Sequence, residues 1–308
     1  MNKKFLVTGG TGFIGSNISN MLAEKGYKVV VFDNNKRGKI NRLKHKNIKF
    51  IAGDIRDKKD LSKAFKGINA VIHLAYINGT KYFYSEPDLV LDVATKGLIN
   101  IFDISIKNKI KELYLASSSE VYQNPSKIPT DEKEILKIPD IFNPRYSYGG
   151  GKILTELYGI NYGRKYFNKL IIFRPHNVYG IDMGNEHVIP ELLGKIKNLK
   201  QKGKIKIQGT GNETRSFIHV KDFCKGFYLL MKKGKHLNIY NIGTEERVTI
   251  IKLLNNIKKI TKKEFKIITS PLKKGGTPHR CPNISKIKNL GFKQNIKLED
   301  GIKLLLKS

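Results

Sequence analysis

Near its start the chain reads KFLVTGGTGFIG over residues 4–15. A short apolar run leads into a glycine-rich turn, and an apolar helical pattern follows it. In such a succession of strand, turn and helix, Gly9 permits the tight turn and Gly12 lets the backbone approach a pyrophosphate at the positive end of the helix. Gly15 lets the helix pack closely on the strand. The stretch therefore predicts a dinucleotide site at the first β-α turn.

The first half of the chain repeats this alternation of strand and helix patterns. The runs predicted as buried strands are Lys4–Thr8, Lys28–Asp33, Ile48–Ala52, Ala70–Ala75, Leu113–Ser117 and Leu170–Arg174. The helical patterns between them are Phe13–Lys25, Leu61–Phe65, Pro87–Lys107 and Tyr146–Tyr166. Such helices can cross over a sheet and join parallel strands. The pattern predicts an α/β fold with a Rossmann-type, doubly wound parallel sheet.

After Pro175 the rhythm changes to a mixed region with Gly- and Asn-rich turns. The elements predicted there are strands at Ile205–Gln208 and Asn238–Ile242 and helices at Val220–Lys232 and Thr249–Ile260. We predict a dinucleotide-binding Rossmann domain over residues 1–175, which includes the candidate catalytic helix. A smaller substrate lobe is predicted over residues 176–308, with some of its chain returning to the sheet.

The composition limits the class of protein. The 308 residues carry a formal net charge of +32, and of the 58 basic residues 49 are Lys and 9 are Arg. Because these charges are spread over every segment and form no stripe with interleaved aromatics, we predict no specific nucleic-acid partner. No apolar run approaches the ~20 residues that span a bilayer, so no membrane association is predicted. Cys224 and Cys281 are too few for a disulfide framework and lack metal-ligand spacing, so we expect a cytoplasmic protein without a metal.

The end of the second predicted strand indicates NAD as the cofactor. Asp33 stands about twenty residues after the glycine turn, where a carboxylate accepts both ribose hydroxyls and repels a 2′-phosphate. Lys36 and Arg37 follow, and bases at this point can instead hold a 2′-phosphate, although these two lie past the carboxylate in a lysine-rich loop. The residues predicted here to bind NAD are Gly9, Gly12, Phe13, Ile14, Gly15, Asp33, Asn34, Asp54, Ile55, Leu74 and Ala75.

Tyr148 and Lys152 form the candidate catalytic pair. Their i, i+4 spacing places them on one face of the helix predicted at Tyr146–Tyr166. A neighbouring ammonium lowers the pKa of a tyrosine from its usual value of about 10, which makes the tyrosine a general base for a hydroxyl proton. One crossover earlier a strand ends in Ser117-Ser118-Ser119-Glu120, and a serine there can donate to the same substrate oxygen. Alternatively, these serines only cap a turn.

The glycine turn, the Ser-Ser-Ser-Glu-Val-Tyr segment at residues 117–122 and the pair Tyr148 and Lys152 resemble the NAD-dependent epimerase/dehydratase family of extended short-chain dehydrogenases. The resemblance covers essentially the whole chain and implies a nucleotide-sugar substrate. It implies that Ser118, Tyr148 and Lys152 form a catalytic triad and that Ser117 borders the nicotinamide. Since the matching helices of the family form a four-helix bundle, the resemblance also implies a homodimer.

Downstream segments resemble the family's substrate-binding stretches. Asn177, in Arg-Pro-His-Asn-Val-Tyr-Gly, is expected to face the substrate diphosphate, and Arg215 and Arg280 are expected to bind it through charge-assisted contacts. A surface ion pair is the alternative for Arg215. Val188 lies within residues 184–190, the segment that we expect to contact the sugar.

The sequence departs from the family in three places, one of which is Asn283 where the family more usually has Asp. The family usually has an asparagine that contacts the cofactor near residue 94, where this chain reads Asp-Val-Ala-Thr at residues 92–95. Gly149, Gly150 and Gly151 inside a helix cost about 1 kcal/mol each relative to alanine, so something must need the space. A bulky sugar substituent or a closely packed helix would explain them.

The resemblance implies oxidation at C4 of the sugar to a 4-keto intermediate. Epimerisation at C4 needs only the triad, and it is our first hypothesis. A 4,6-dehydratase or a UDP-glucuronate decarboxylase is the alternative, with Glu120 as an added acid/base and Ser119 beside it. Glu120 is otherwise a structural carboxylate hydrogen-bonded to backbone amides. A catalytically silent dinucleotide sensor is the remaining hypothesis, and the intact Tyr148 and Lys152 argue against it.

Overall fold

The computed structural model describes residues 3–184, 187–199, 202–272 and 275–307. The strands are β1 (Lys4–Thr8), β2 (Lys28–Asp33), β3 (Ile48–Ala52), β4 (Ala70–His73), β5 (Glu112–Ala116), β6 (Lys169–Pro175), β7 (Val178–Tyr179), β8 (Lys202–Lys206), β9 (Thr214–Arg215), β10 (Ile218–His219), β11 (Asn238–Ile242), β12 (Val248–Thr249) and β13 (Glu264–Ile268). The helices are α1 (Phe13–Glu24), α2 (Lys58–Lys63), α3 (Thr80–Ser85), α4 (Pro87–Asp92), α5 (Leu98–Lys107), α6 (Tyr146–Tyr166), α7 (Val188–Lys197), α8 (Val220–Lys233), α9 (Ile250–Thr261), α10 (Ser285–Lys288) and α11 (Leu298–Leu306). In these described ranges no helix is long and apolar enough to cross a membrane.

Seven of the described strands form one sheet in the order β11-β6-β5-β4-β1-β2-β3, and every pair in it is parallel. The strand order reverses between β1 and β4, and this is the point where a parallel sheet opens a crevice at the carboxyl ends of its strands. β11 comes from the second half of the chain and pairs with β6. The arrangement confirms the predicted Rossmann-type fold, whereas the division at residue 175 stays a prediction.

The sheet is buried on both faces because its strands carry continuous apolar runs. In β1, Phe5 and Val7 belong to the core that includes Ile18 of α1 and Phe227 of α8. Leu6, which points to the opposite face, belongs to the core formed with α5 and α6. Helices therefore cover both faces, as the reading of continuous β-branched runs predicts.

The smaller lobe begins at the carboxyl edge of the sheet, where β7 follows β6. β7 pairs with β10, β9 with β12, and β8 with β13. The lobe has a separate apolar core that includes Phe217, Leu253 and Ile302. Its position brings residues of the second half over the crevice of the sheet.

Three predicted boundaries were wrong for local reasons. α2 begins at Lys58, before the predicted Leu61, because the Asp57 carboxylate caps it by accepting the amides of residues 59 and 60. β4 ends at His73 instead of Ala75, where the backbone turns to pack against Gly9 of the glycine turn. β8 spans 202–206 instead of 205–208, because its pairing with β13 starts at residue 202.

The helix predicted at Pro87–Lys107 is not a continuous α-helix. α4 passes into a π-helical turn at Val93–Gly97, and α5 follows it. A π-turn inserts an extra residue into a helix and is frequent at functional sites. The sequence pattern did not indicate it, because the apolar periodicity continues on both sides.

The first two glycines of the triplet in α6 make room for side chains from the loop that precedes the helix. A Cβ on Gly149 would lie 2.6 Å from Gln123 Nε2. A Cβ on Gly150 would lie 3.1 Å from Ile138 Cδ1. Neither a sugar substituent nor a whole helix is therefore needed to explain these two residues.

The third glycine accommodates a tyrosine that follows β4. A Cβ on Gly151 would lie 2.0 Å from the hydroxyl oxygen of Tyr76 and 2.7 Å from Ala94 Cβ in the π-helical turn. The expectation of a closely packed helix is thus met in part at this residue. The closest neighbour, however, is the tyrosine side chain.

A buried ion pair joins α6 to β6. Arg174 donates to Glu156 from Nε at 2.8 Å and from Nη2 at 2.6 Å. The side chains of Arg174 and Glu156 are only 2% and 6% exposed. Ser117 donates to the same carboxylate from its hydroxyl group, so the end of β5 is attached as well. The pair fixes the depth and rotation of α6 relative to the sheet.

We predict that Arg174→Met lowers the free energy of unfolding by about 3–5 kcal/mol, because it leaves Glu156 buried without its partner. Chemical denaturation followed by circular dichroism measures this change. Lys195→Met is the control: it removes an exposed pair with Glu191 at 2.6 Å, and less than about 0.5 kcal/mol is expected. Equal losses in the two variants would contradict the prediction.

Candidate active site

A cleft of about 440 Å³ lies between the carboxyl edge of the sheet and the smaller lobe. Every residue predicted to bind NAD, to contact substrate or to take part in catalysis lines it. Of the segment expected to contact the sugar, Gly184, His187, Val188 and Ile189 line the cleft as well. Residues 185 and 186 of that segment lie outside the described residues.

The glycine turn fits the pyrophosphate of a dinucleotide. Gly9 has φ +70°, and a Cβ there would lie 2.6 Å from the backbone nitrogen of Ala75. A Cβ on Gly15 would lie 2.1 Å from the carbonyl oxygen of Gly9, so only glycine lets α1 start this close to β1. Gly12 is the N-cap of α1 and lines the cleft. The positive end of α1 therefore borders the cleft without side chains in the way.

The end of β2 provides the carboxylate expected for an adenosine ribose. Asp33 lines the cleft, and its carboxylate accepts the amide of Thr11 at 3.1 Å and that of Asn35 at 2.8 Å. Of the two nearby bases, Lys36 pairs with Glu86 at 2.6 Å. The guanidinium of Arg37 lies 5.3 Å from the ring centroid of Tyr82. These contacts favour a ribose with two free hydroxyls.

Asp54 and Asn34 border the same end of the cleft. Asn34 Nδ2 donates to Asp54 at 3.1 Å, and Arg56 holds the same carboxylate at 2.8 Å. The hydrogen bond from Arg56 keeps the pKa of Asp54 below its ordinary value. Asp54 is therefore ionised and fixed next to the predicted adenosine position.

Tyr148 and Lys152 share one face of α6 and are buried. Burial raises the pKa of Tyr148 to about 12, and a hydrogen bond with Ser118 acts in the opposite direction. Burial lowers the pKa of Lys152 to about 7, against the attraction of Glu156. Lys152 Nζ donates to the carbonyl oxygen of Ala116 at 2.7 Å. The pair thus lies at the end of β5, with the lysine close to the point of losing its charge.

The position of Ser118 suits both roles considered for the serine segment, namely capping a turn and donating to a substrate oxygen. Ser118 Oγ accepts the amide of Glu120 at 3.1 Å and caps the 3₁₀ turn at Ser119–Tyr122. The side chain of Ser118 also lowers the pKa of Tyr148 against the effect of burial, so this hydroxyl lies near the tyrosine. Ser118 is therefore placed for a proton-donating role beside the tyrosine while it also stabilises the turn.

Glu120 is held by arginines and not by backbone amides. Arg280 contacts its carboxylate with both terminal nitrogens, one of them at 2.8 Å, and Arg145 lies 4.0 Å away. Burial opposes ionisation, but the charges of Arg280, Arg145 and Arg215 prevail and lower the pKa of Glu120 to about 2. Glu120 is therefore an anion throughout the neutral range. It has no proton to donate in this arrangement.

Arg215 and Asn177 are held by backbone carbonyl groups. Arg215 donates to the carbonyls of Thr214, Thr277 and Pro278 at 2.8–3.0 Å, an arrangement different from the surface ion pair considered as the alternative. Burial and the charge of Arg280 lower its pKa to about 10. Asn177 donates to the carbonyl of Ser216 at 3.1 Å. Both side chains are thus fixed on the lobe side of the cleft before any anion binds.

Sequence reasoning missed several residues that line the cleft, among them Tyr76, Phe83, Val93 and Arg145. Arg145 stands three residues before Tyr148, so its proximity to the catalytic helix was available as a signal. Tyr76 follows the Leu74-Ala75 segment already assigned to the cofactor site. His73, by contrast, is a core residue that contacts Thr8 Oγ1 at 2.8 Å.

Comparison with known proteins agrees with this geometry. The model of the NAD dependent epimerase/dehydratase family matches residues 5–243. A "Putative UDP-glucose 4-epimerase" of Methanocaldococcus jannaschii is 35% identical over 97% of this chain and 95% of its own length. A "UDP-N-acetyl-alpha-D-glucosaminuronate decarboxylase" of Bacillus cytotoxicus is 30% identical over 98% and 96%.

Among solved structures, a UDP-glucose 4-epimerase with UDP-glucose from Thermotoga maritima superposes with a TM-score of 0.90 at 29% identity. The match covers 99% of this chain and 97% of that one. These findings confirm the resemblance predicted from the glycine turn and the Tyr148/Lys152 pair, and with it NAD as the cofactor. The chain belongs to the NAD-dependent epimerase/dehydratase family.

Proposed function

We propose that this enzyme epimerises a UDP-hexose at C4 through a 4-keto intermediate. The observation that carries the proposal is the contact of both terminal nitrogens of Arg280 with the carboxylate of Glu120, which lowers the pKa of this carboxyl group against the effect of burial. Elimination across C5 and C6 needs a group that can donate a proton to the leaving hydroxyl. A carboxylate clamped by Arg280 cannot supply it, whereas C4 epimerisation needs only the triad.

Different residues of the cleft would bind different parts of the cofactor. The glycine turn and the start of α1 would hold the pyrophosphate, Asp33 the adenosine ribose, and Lys152 the nicotinamide ribose. The chemistry that NAD supplies when bound is reversible hydride acceptance from C4 of the sugar.

Tyr148 is the group that removes and returns the proton of the C4 hydroxyl. Since burial raises its pKa to about 12, the tyrosine becomes a base near neutral pH only if positive charge is placed beside it. Lys152 Nζ lies 5.8 Å from the ring centroid of Tyr148 and provides that charge while it is protonated. Ser118 would donate to the same sugar oxygen and hold it at the tyrosine.

Arg215 and Asn177 would bind the substrate diphosphate from the lobe, whereas Arg280, which was also predicted to bind it, contacts Glu120. Arg215 already has its guanidinium fixed by three carbonyl groups. Charge-assisted contacts from arginine suit a diphosphate because the planar donor group can contact two oxygens at once. After oxidation the keto-sugar must rotate to expose its other face. The contacts of Arg215 and Asn177 would hold the diphosphate in place while the sugar rotates.

The first test is proton NMR of the enzyme in D₂O with UDP-glucose or UDP-N-acetylglucosamine. We expect inversion at C4 without solvent deuterium at C5, because epimerisation at C4 leaves the C5–H bond intact. Glu120→Gln should still form the C4 epimer, at a reduced rate. A 4-keto-6-deoxy product that carries deuterium at C5 would instead show a dehydratase and overturn the proposal.

Tyr148→Phe should lower kcat by about 10²–10⁴, the usual contribution of general acid–base catalysis. The matched control is Tyr158→Phe on the same helix, where the ring packs against Phe102 with centroids 6.0 Å apart. Rates from a coupled assay of the C4 epimer should fall for the first variant only. A Tyr148→Phe enzyme that turns over like the wild type would refute the assignment of the base.

Decarboxylation of a UDP-uronic acid is the second candidate, and one observation favours it. Arg145 is 4.0 Å from Glu120, and among the described residues its Nε has no hydrogen-bond partner. A free donor of this kind suits a carboxylate on the sugar. The Bacillus cytotoxicus relative is named for that reaction. Release of CO₂ from UDP-glucuronate or UDP-N-acetylglucosaminuronate, without C4 inversion of neutral sugars, would establish this candidate and exclude the first.

We also propose a homodimer through α4, α5 and α6. These helices leave large apolar side chains exposed to solvent, with Leu91 at 44%, Ile99 at 39% and Leu157 at 56%. Burying them against a second copy would remove apolar surface from water. A four-helix arrangement of the two copies, as the family resemblance implies, would cover all three.

Leu157→Glu should therefore convert the dimer to a monomer, because it would place a charge in the buried interface. Size-exclusion chromatography with light scattering measures the mass. Ile141→Glu is the control, since Ile141 is 80% exposed on a loop outside these helices. A Leu157→Glu protein that keeps the wild-type mass would exclude this interface.

A further inference from the structure

We propose that Tyr76 is a positioning residue whose ring face holds the ammonium group of Lys152 where Tyr148 and the nicotinamide ribose need it. The inference rests on the proposed function, because it assigns a partner to the lysine of the catalytic pair. Tyr76 does not touch the reacting atoms in this assignment and acts through Lys152.

The geometry around the ammonium group supports the assignment. Lys152 Nζ lies 3.7 Å from the ring centroid of Tyr76, inside the range of a cation–π contact. On another side it donates to the carbonyl of Ala116 at 2.7 Å. The Tyr76 ring also meets Tyr148 edge-on, with centroids 5.1 Å apart and planes at 83°. One side chain therefore sets the positions of both members of the catalytic pair.

The charges that face Lys152 show why a ring is needed there. Glu156, on its own helix, is already engaged by Arg174 and by a serine, and in the described part of the chain no carboxylate forms a salt bridge with Lys152. From β4, His73 presents a neutral ring, because burial and the charge of Lys152 lower its pKa to about 3. Burial lowers the pKa of Lys152 itself to about 7. The electron-rich face of Tyr76, at 3.7 Å from the ammonium nitrogen, favours the charged form together with the attraction of Glu156.

The packing around Tyr76 leaves room for its side chain but reduces the stability of the fold. Its hydroxyl lies 2.0 Å from where a Cβ of Gly151 would be, so only glycine at that position leaves room for the tyrosine. The hydroxyl is buried and has no hydrogen-bond partner among the described residues. A helix glycine and an unsatisfied hydroxyl both reduce stability, so neither explains the presence of the tyrosine by itself. What the tyrosine gains at this position is the contact of its ring with the ammonium group and with Tyr148.

The test compares two variants at one position. Tyr76→Leu removes the ring and keeps an apolar side chain, so Lys152 should lose its proton earlier and the alkaline limb of the kcat profile should move down by about one pH unit. Tyr76→Phe keeps the ring and should keep the wild-type alkaline limb. NAD binding, measured by equilibrium dialysis above pH 7, should weaken for Tyr76→Leu and not for Tyr76→Phe. Circular dichroism checks that both variants are folded.

A second pair of variants covers the case in which Tyr76→Leu does not fold. Gly151→Ala would displace the Tyr76 ring from the lysine and should give the same alkaline shift, and Gly151→Ala with Tyr76→Phe should restore part of it by removing the clashing hydroxyl. A wild-type alkaline limb in Tyr76→Leu or Gly151→Ala, or an equal shift in Tyr76→Phe, would overturn the inference. Full activity of Tyr148→Phe would instead remove the proposed function itself, so the two failures are distinguishable.

Discussion

The position of the candidate catalytic pair, Tyr148 and Lys152, depends on the buried contact between Glu156 and Arg174. Because Arg174 stands in β6 and Ser117 at the end of β5 binds the same carboxylate, the pair sets the position of α6 against two strands at once. Lys152 lies one turn before Glu156 on that helix, and Tyr148 one turn before Lys152. A helix that could slide by one turn would move both about 5.4 Å along its axis and out of reach of the serines. The ion pair thus fixes α6 so that Tyr148 and Lys152, which are spaced one turn apart, both lie at the end of β5.

Negatively charged side chains lie at one end of the cleft and positively charged side chains at the other. At the cofactor end, Asp33 and Asp54 present carboxylates to a sugar. At the lobe end, Arg145, Arg215 and Arg280 lie around the carboxylate of Glu120. Such an excess of positive charge in a partly dry cleft favours an anionic ligand at that end. These fixed arginines line the cleft itself, whereas most of the lysines that give the chain its net charge of +32 do not.

The sequence predicted well the features that follow from local chemistry, and poorly those that depend on which side chains meet. The glycine turn, the parallel sheet and the Tyr148/Lys152 face could be predicted because each depends on spacing within one segment. The clamp on Glu120 could not, since Arg280 lies 160 residues away in the chain. The glycines of α6 were recognised as space for a partner, but their partners come from loops whose paths the sequence does not specify. The roles of the site residues remain predictions, supported by their convergence on one cleft.

Two departures from the family pattern have a common structural cause in Tyr76. The chain lacks the usual asparagine near residue 94, and it has glycine at position 151 of the catalytic helix. Ala94 Cβ and the Tyr76 hydroxyl both lie against the same point of Gly151, at 2.7 and 2.0 Å from where its Cβ would be. An asparagine at 94 or a larger residue at 151 would compete with the tyrosine for this volume. Small residues at both positions therefore leave the volume that the Tyr76 ring occupies beside Lys152.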